Sequence, residues 1–296
     1  MSAELYLAEC KAFIDEGIPR FLPDKETYPE SIHQSMHYSV FAGGKRLRPI
    51  LLMASAEAVG GDRSKVLPFA VAAEFIHTYT LIHDDLPALD DDSLRRGKPT
   101  NHKVFGEATA ILTGDALLTQ AFIIMTNASL MEATPAKCIL RATHELGKAI
   151  GSTGVIGGQV VDLESEGEPV DEETLEYIHI YKTGFFFKSC VRTGALLGLA
   201  NTKQLNALSS YGAHIGLAFQ IIDDILDIIG DQDKLGKDIG SDAGKNKATY
   251  PAMFGMDESK RKAEKLVEDA VDRLKDFDES ADPLREIARF FVKRTF

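Results

Sequence analysis

The sequence predicts an all-α fold, with one large helical domain over residues 1–296, on three observations. Alternating β-branched runs with Asn-Gly or Asp-Gly turns are scarce, so we expect few strands. Long stretches rich in Ala, Leu and Ile recur along the chain and favour helices. Several of these stretches are apolar on most faces, which indicates interior helices rather than a thin surface layer.

The predicted helices follow one another with Gly and Pro breakers between them. We expect helices over residues 64–81, 109–125, 135–150, 204–229 and 259–277. The breakers are Gly60-Gly61, Lys98-Pro99, Glu168-Pro169, the stretch 240–244 and Asp282-Pro283.

The stretch GKAIGSTGVIGG, residues 147–158, resembles a phosphate loop only superficially. It lacks both GxxxxGK[ST] and GxGxxG, and no predicted strand precedes it. Its glycines at 147, 151, 154 and 158 recur at helical spacing. We therefore interpret them as one face of a helix where another helix packs closely.

Composition and charge exclude several classes of partner. The net charge of −12 argues against nonspecific binding to nucleic acid or acidic membranes. The cysteines Cys10, Cys138 and Cys190 form no CxxC motif, which is typical of reduced thiols in a cytosolic protein. The N-terminal stretch has early acids and no signal-type apolar region, and no uninterrupted apolar run reaches about 18 residues. We expect a cytoplasmic protein without a membrane span.

A cluster of carboxylates lies in FQIIDDILD, residues 219–227, within an apolar helix. Asp223 and Asp227 are four residues apart, so they differ by about 40° around the helix axis and face the same way. Buried carboxylates need a cation, and no Lys or Arg lies three or four residues from Asp223. The cation is a metal or a distant basic side chain, and oxygen ligands suit Mg²⁺.

A second carboxylate cluster lies in HDDLPALDDDSLRRGK, residues 83–98, after an apolar helix. Asp84 and Asp90 are six residues apart and would diverge by about 240° on a regular helix. Pro87 lies between them and breaks or kinks the helix. We infer that the distorted turn returns Asp90 toward Asp84. Asp91 and Asp92 have no assigned role, and plain solvation is the alternative for them.

Basic residues form a separate population in GGKRLRP (43–49), RRGK (95–98) and KTG (182–184), with Lys237 and Lys247 beyond. Any one of them could be a surface charge. Together, beside acids that could bind metal, they indicate two anionic groups, one held through Mg²⁺ and one held by the cations directly.

Several motifs together resemble those of the trans-isoprenyl diphosphate synthases, most closely the short-chain bacterial type. They are DDLPALD with LRRGKPTNH, GGKRLRP, GGQVVDL, KTG, FQIIDDILD and GKDIGSDAGKNK. The match runs from about residue 43 to residue 250 in the family's order. The resemblance implies an all-α isoprenoid synthase bundle around a deep central cavity, usually a homodimer. It also implies several Mg²⁺ ions per active site, and isopentenyl diphosphate and an allylic diphosphate as substrates.

The resemblance also implies a role for individual residues. Expected Mg²⁺ ligands are Asp84, Asp90 and Asp223, supported by Asp85, Asp224 and Asp227. The allylic diphosphate would be held by Arg95, Lys182, Gln220, Lys237 and Lys247, and isopentenyl diphosphate by Lys45, Arg48, His77 and Arg96. Thr183 and Gln220 are candidate dipoles for the allylic carbocation, so the expected catalytic residues are Lys182, Thr183 and Gln220.

Product length is expected to depend on the residues just before the first aspartate motif. Tyr79 and Thr80 lie five and four residues before Asp84, and at about 1.5 Å per residue Tyr79 is one to two turns deeper along the helix. A tyrosine there would close the channel at fifteen carbons, as in farnesyl diphosphate synthases. Plain core packing of Tyr79 is the alternative, and geranylgeranyl or geranyl diphosphate is the alternative product.

Two other functions fit less well. A class I terpene cyclase handles one diphosphate and would not need Lys45, Arg48 and Arg96 as a second basic site. Its second metal motif usually carries Asn, Ser and Glu, which DDILDIIGD lacks. A non-catalytic partner subunit should have lost aspartates or basic residues, and none is missing here.

Overall fold

A computed structural model describes residues 2–132, 134–229 and 249–293. The described chain is all-α, as predicted, with one short hairpin. The helices are α1 (Ala3–Gly17), α2 (Glu30–Val40), α3 (Leu47–Glu57), α4 (Arg63–Asp84), α5 (Asn101–Phe105), α6 (Glu107–Thr126), α7 (Ala136–Ile150), α8 (Val155–Glu164), α9 (Glu172–Ile178), α10 (Phe185–Leu197), α11 (Thr202–Ile229), α12 (Tyr250–Phe254), α13 (Met256–Arg273) and α14 (Asp282–Lys293). Strands β1 (Leu94–Arg95) and β2 (Lys98–Pro99) form the hairpin, and 3₁₀ turns lie at Ile18–Arg20, Ala128–Leu130 and Glu279–Ala281.

Each of the five predicted helices is present with boundaries shifted by a few residues. The stretch predicted over 64–81 lies within α4. Asp62 caps the start of this helix, because its side chain accepts a hydrogen bond from the Ser64 amide. The stretch predicted over 204–229 becomes the 28-residue helix α11. Apolar periodicity located these helices because their faces pack in the core.

Helix α10 lies at the centre of the bundle and packs against α3, α7 and α11. Its side chains Phe186, Phe187, Cys190 and Val191 are fully buried or nearly so. Helix α4 packs between α3 and α6. The core therefore consists of apolar helices crossing one another, as the sequence indicated.

Helix α6 is apolar on its outer side as well as on its inner side. Ile111, Leu112 and Ile123 keep 45%, 58% and 53% of their surface exposed. By length and composition alone, α4 and α6 could each cross a membrane, although buried core helices meet the same criterion and 78% of the α4 window is buried. The expectation that no segment spans a membrane therefore has two weak counter-candidates, α4 and α6.

The glycine-rich stretch 147–158 is not one continuous helix, so that interpretation was wrong. Helix α7 ends at Ile150, a turn spans residues 151–154, and α8 begins at Val155. The predicted close packing is found at Gly158, which lies against the backbone of Lys182. A Cβ on Gly158 would lie 2.3 Å from the Lys182 amide nitrogen. Glycine spacing alone did not distinguish a helical face from a tight turn between two helices.

A π-helical turn, His179–Gly184, connects α9 to α10 and contains KTG. Turns of this type insert an extra residue into a helix and occur often at functional sites. This turn lies against α8 on one side and α11 on the other.

Candidate active site

The turn after α4 brings Asp90 back to Asp84, as the sequence analysis inferred. The Asp90 amide donates to the Asp84 carbonyl at 2.8 Å, and the Asp91 amide donates to the Leu86 carbonyl at 3.1 Å. Helix α4 ends at Asp84, and Pro87 lies exposed within the following turn. The chain therefore turns back at the end of α4 through backbone hydrogen bonds, and Pro87 prevents the helix from continuing.

The next carboxylates of this motif are held by Arg95. Its Nε donates to Asp85 Oδ1 at 2.9 Å, and an Nη lies 2.8 Å from Asp92 Oδ2. Burial raises the pKa of Asp85 to about 6, although Arg95 favours its charged form. Asp92, left unassigned by the sequence, thus has a partner, whereas Asp91 is exposed and lies 3.5 Å from Lys103 Nζ.

Arg95 and Arg96 of the hairpin contact different partners. Arg96 and Gly97 form its two-residue turn with φ of +55° and +74°, a combination typical of a type I′ turn. The Arg96 guanidinium donates to the Gly43 carbonyl, and a Cβ on Gly44 would lie 2.5 Å from its Cζ. Arg95 therefore faces the aspartates and Arg96 lies over the GGKRLRP loop.

Arg46 in the same loop has a structural role that the sequence analysis did not assign. Its side chain is 1% exposed, 2.6 Å from Glu74 and 2.9 Å from Asp15, and it donates to the Val40 carbonyl at 2.8 Å. Burial alone would lower the pKa of Arg46, but Glu74 and Asp15 outweigh it and raise the pKa. Arg46 is committed to the core rather than to a ligand.

Arg48 differs from Arg46 because no carboxylate pairs with it in the described chain. Its Nη1 lies 3.2 Å from His77 Nε2, and its Cζ lies over the rings of Phe186 and Phe187 at 5.2 and 4.7 Å. Burial lowers its pKa, and Asp223 is close enough to act on its charge. Arg48 thus lies beside His77 and over α10.

His77 is surrounded by positive charge. Burial first, and then the guanidiniums of Arg48, Arg96, Arg95 and Arg46, lower its pKa well below 6.5. His77 is therefore neutral near neutral pH. A neutral histidine among arginines is an arrangement suited to an anion.

The π-turn directs Lys182 and Thr183 to opposite neighbours. Lys182 Nζ donates to Asp162 Oδ2 of α8 at 2.6 Å. Thr183 Oγ1 donates to Gln220 Oε1 of α11 at 2.8 Å. Of the predicted catalytic residues, Thr183 and Gln220 are therefore in direct contact, whereas the Lys182 side chain faces α8.

The second aspartate motif divides its carboxylates between two environments. Asp223 is partly exposed, whereas Asp224 and Asp227 are 3% and 4% exposed. Asp224 accepts from the Gln220 amide at 3.1 Å and from the Tyr250 backbone amide at 2.9 Å, and it lies 3.4 Å from His179 Nε2. Burial lowers the pKa of His179 to about 4, so this imidazole is neutral.

The remaining predicted residues are less closely assembled. Lys45 is exposed, and Lys237 and Lys247 lie outside the described residues, as does the whole motif 236–247. In the part of the chain that the structure describes, no three His, Cys, Asp or Glu side chains converge closely enough to hold a metal ion. The predicted ligands Asp84, Asp90 and Asp223 are thus not gathered into one cluster here.

Tyr79 and Thr80 have distinct surroundings on α4. Tyr79 is 6% exposed with its ring edge-on to His83 at 5.7 Å, and burial followed by the Asp84 charge raises its pKa to about 12. No hydrogen bond of its hydroxyl is found within the described residues. Thr80 instead donates to the His77 carbonyl at 2.8 Å, within its own helix.

Sequence reasoning missed Asp162, His179 and Tyr250 as parts of this site. Asp162 lies within GGQVVDL, where the sequence indicates no role for it, and only its pairing with Lys182 gives it one. No local pattern indicated that His179 and Tyr250 meet Asp224, because these residues are far apart in sequence.

The fold and site together define an all-α protein of the isoprenoid synthase type. A crystal structure of a farnesyl/geranylfarnesyl (FPP/GFPP) synthase from Zymomonas mobilis superposes with a TM-score of 0.87 at 37% identity, covering 98% of both chains. A geranylgeranyl diphosphate synthase of Cyanophora paradoxa is 48% identical over 98% of this chain and 95% of its own length. A farnesyl diphosphate synthase of Geobacillus stearothermophilus is 46% identical over 99% and 98%.

Residues 29–287 match the family model described as polyprenyl synthetase. The chain belongs to this family of trans-prenyltransferases, whose members act on isoprenyl diphosphates.

Proposed function

We propose that the protein condenses isopentenyl diphosphate with dimethylallyl or geranyl diphosphate to form farnesyl diphosphate, and releases inorganic diphosphate. The observation that carries this proposal is the contact between Arg48 Nη1 and His77 Nε2 at 3.2 Å, where the charges of Arg96 and Arg95 also act on the imidazole. The cations suit one diphosphate directly, and the aspartates suit a metal-bound one.

Mg²⁺ fits the chemistry of the aspartate motifs, because carboxylate oxygens are its preferred protein ligands. Asp84, Asp90 and Asp223 would hold several ions per active site. When bound, Mg²⁺ neutralises charge on the departing diphosphate.

The allylic diphosphate is assigned to the side of the site formed by α8, the π-turn and α11. Lys182 holds its charge from the π-turn, and Arg95 does so from the hairpin, with Lys237 and Lys247 as further candidates outside the described residues. Thr183 and Gln220, which are hydrogen-bonded to each other at 2.8 Å, are the proposed dipoles for the allylic cation after the carbon–oxygen bond breaks.

Isopentenyl diphosphate is assigned to the GGKRLRP side, with Arg48, Arg96, His77 and Lys45 as its contacts. His77 offers a hydrogen bond without adding charge, and Arg48 is held over two phenylalanine rings. The isopentenyl double bond attacks the cation to form the new carbon–carbon bond. The released diphosphate is the proposed acceptor of the proton that is then lost.

The fifteen-carbon product rests on Tyr79, whose buried ring suits the end of an apolar channel. Geranylgeranyl diphosphate is the alternative product, because relatives named for either product are about equally similar to this chain.

A homodimer in the cytoplasm completes the proposal. The exposed apolar side chains Ile111, Leu112 and Ile123 on α6 form the kind of patch that marks a protein interface, and a twofold axis would bury it against its own copy. All three cysteines are free thiols, which fits a reducing compartment.

Product analysis after incubation with Mg²⁺, isopentenyl diphosphate and geranyl diphosphate tests the function. We expect a fifteen-carbon diphosphate and consumption of both substrates. A hydrocarbon formed from the allylic substrate alone would indicate a cyclase, and absence of any condensation product would reject the proposal.

A further inference from the structure

Asp224 faces away from the predicted metal ligand beside it. Adjacent residues on a helix differ by about 100° in direction, so Asp223 and Asp224 cannot share a face of α11. Asp224 is 3% exposed, and each of its oxygens accepts a hydrogen bond. Oδ1 accepts from Gln220 Nε2 at 3.1 Å, and Oδ2 accepts from the Tyr250 backbone amide at 2.9 Å.

The carboxylate of Asp224 determines how the Gln220 amide is turned. Both Asp224 oxygens accept hydrogen bonds, Oδ1 from Gln220 Nε2 and Oδ2 from the Tyr250 amide, so the NH₂ end of Gln220 faces Asp224. The oxygen end is then directed to Thr183, whose hydroxyl donates to Gln220 Oε1 at 2.8 Å. Thr183, Gln220 and Asp224 thus form a chain of hydrogen bonds in which Thr183 donates to Gln220 and Gln220 donates to Asp224.

We propose that Asp224 is a positioning residue that binds no metal and fixes the Gln220 amide with its oxygen beside Thr183, the pair proposed above to stabilise the allylic cation. This inference rests on the proposed function. An amide oxygen stabilises positive charge on the allylic carbon, whereas a reversed amide would present N–H donors and oppose that charge.

Three separate elements hold Asp224 in place. The Tyr250 amide comes from the start of α12, and the neutral His179 of the π-turn lies 3.4 Å from Oδ2. The His179 ring stacks on Tyr250 at 5.3 Å with an interplanar angle of 20°. The Tyr250 hydroxyl donates to Glu176 of α9 at 3.1 Å. A carboxylate held in this way is rigid, as orienting a second side chain requires.

Asp224→Asn is the informative change because the Tyr250 amide still requires an acceptor. The introduced side-chain oxygen pairs with that amide, so its NH₂ faces Gln220 and reverses the Gln220 amide. We expect kcat to fall about tenfold to a hundredfold with little change in KM for isopentenyl diphosphate. Combining it with Gln220→Glu returns an oxygen to the reacting side, so the double variant should recover most of that loss.

Calorimetric binding of inorganic diphosphate in the presence of Mg²⁺ gives a readout independent of turnover. Asp224→Asn should leave this Kd within about twofold, whereas Asp223→Asn should weaken it about tenfold or more. Thermal unfolding of every variant identifies losses that come from misfolding.

Wild-type kcat in Asp224→Asn, no recovery in the double variant, or equal weakening of diphosphate binding by both single changes would overturn the inference. If the wild-type protein fails to condense the two substrates, the proposed function fails instead. The binding comparison then still decides whether Asp224 is a metal ligand.

Discussion

Replacing Arg46 by methionine tests whether the two arginines of GGKRLRP have separate roles. Arg46 is held by Glu74, Asp15 and the Val40 carbonyl. Arg48, two residues later, lies beside His77 and has no carboxylate partner in the described chain. Arg46→Met should therefore cost stability, and Arg48→Met should cost activity.

The magnitude follows from the burial of the pair. Arg46 and Glu74 are each 1% exposed, so Arg46→Met leaves an uncompensated carboxylate in the core. Breaking such a buried pair costs about 3–5 kcal/mol. Asp15 is 31% exposed and adds little, because solvent screens its interaction. A loss of that size lowers the melting temperature by about 10 °C in a chain of this length.

Thermal unfolding and condensation kinetics, measured on the same samples, provide the assay. Arg46→Met with Glu74→Leu removes both charges and should recover most of the stability. Arg48→Met should melt within about 2 °C of wild type, because it removes a desolvated charge and leaves no buried carboxylate without its cation. It should lower kcat/KM for isopentenyl diphosphate about a hundredfold. A stable Arg46→Met protein, or an unstable Arg48→Met protein, would refute the reasoning.

Lys182→Met should lower kcat/KM about a hundredfold. Lys188→Met, at a nearby lysine outside the site, should stay within about twofold of wild type. Equal losses in steady-state assays would contradict the assignment of Lys182 to the allylic diphosphate. Tyr79→Ala should lengthen the product by at least one five-carbon unit and Tyr79→Phe should not, as chromatography of the products would show; identical products in both would remove Tyr79 from chain-length control. Leu112→Glu should dissociate the proposed homodimer in light scattering, whereas Leu5→Glu, a leucine of similar exposure on α1, should not; a dimer that survives Leu112→Glu would exclude the α6 interface.

Local patterns predicted the helices and the first aspartate turn. The helices followed from apolar periodicity, and the return of Asp90 to Asp84 followed from six residues of spacing and one proline. Both depend on interactions within a few residues of each other, which a single sequence carries explicitly.

Long-range pairing accounts for what the sequence could not provide. Arg46 and Arg48 look alike in GGKRLRP, and only their partners, Glu74 and His77, separate a structural cation from a candidate ligand contact. The Lys182–Asp162 pair likewise depends on how the π-turn meets α8.

The hairpin shows a limit of a different kind. Its strands are two residues each, too short for an alternation signal, and its turn uses Arg96 with positive φ rather than the expected Asn or Asp. The divergence of Arg95 and Arg96 was nevertheless expected from the resemblance, and the turn provides its physical basis.

The central claim is condensation of two diphosphates at one site, and the stoichiometry of a single incubation tests it most directly. With Mg²⁺, isopentenyl diphosphate and geranyl diphosphate, the account predicts one inorganic diphosphate released for each isopentenyl diphosphate consumed and each fifteen-carbon diphosphate formed. Release of inorganic diphosphate without consumption of isopentenyl diphosphate would contradict it.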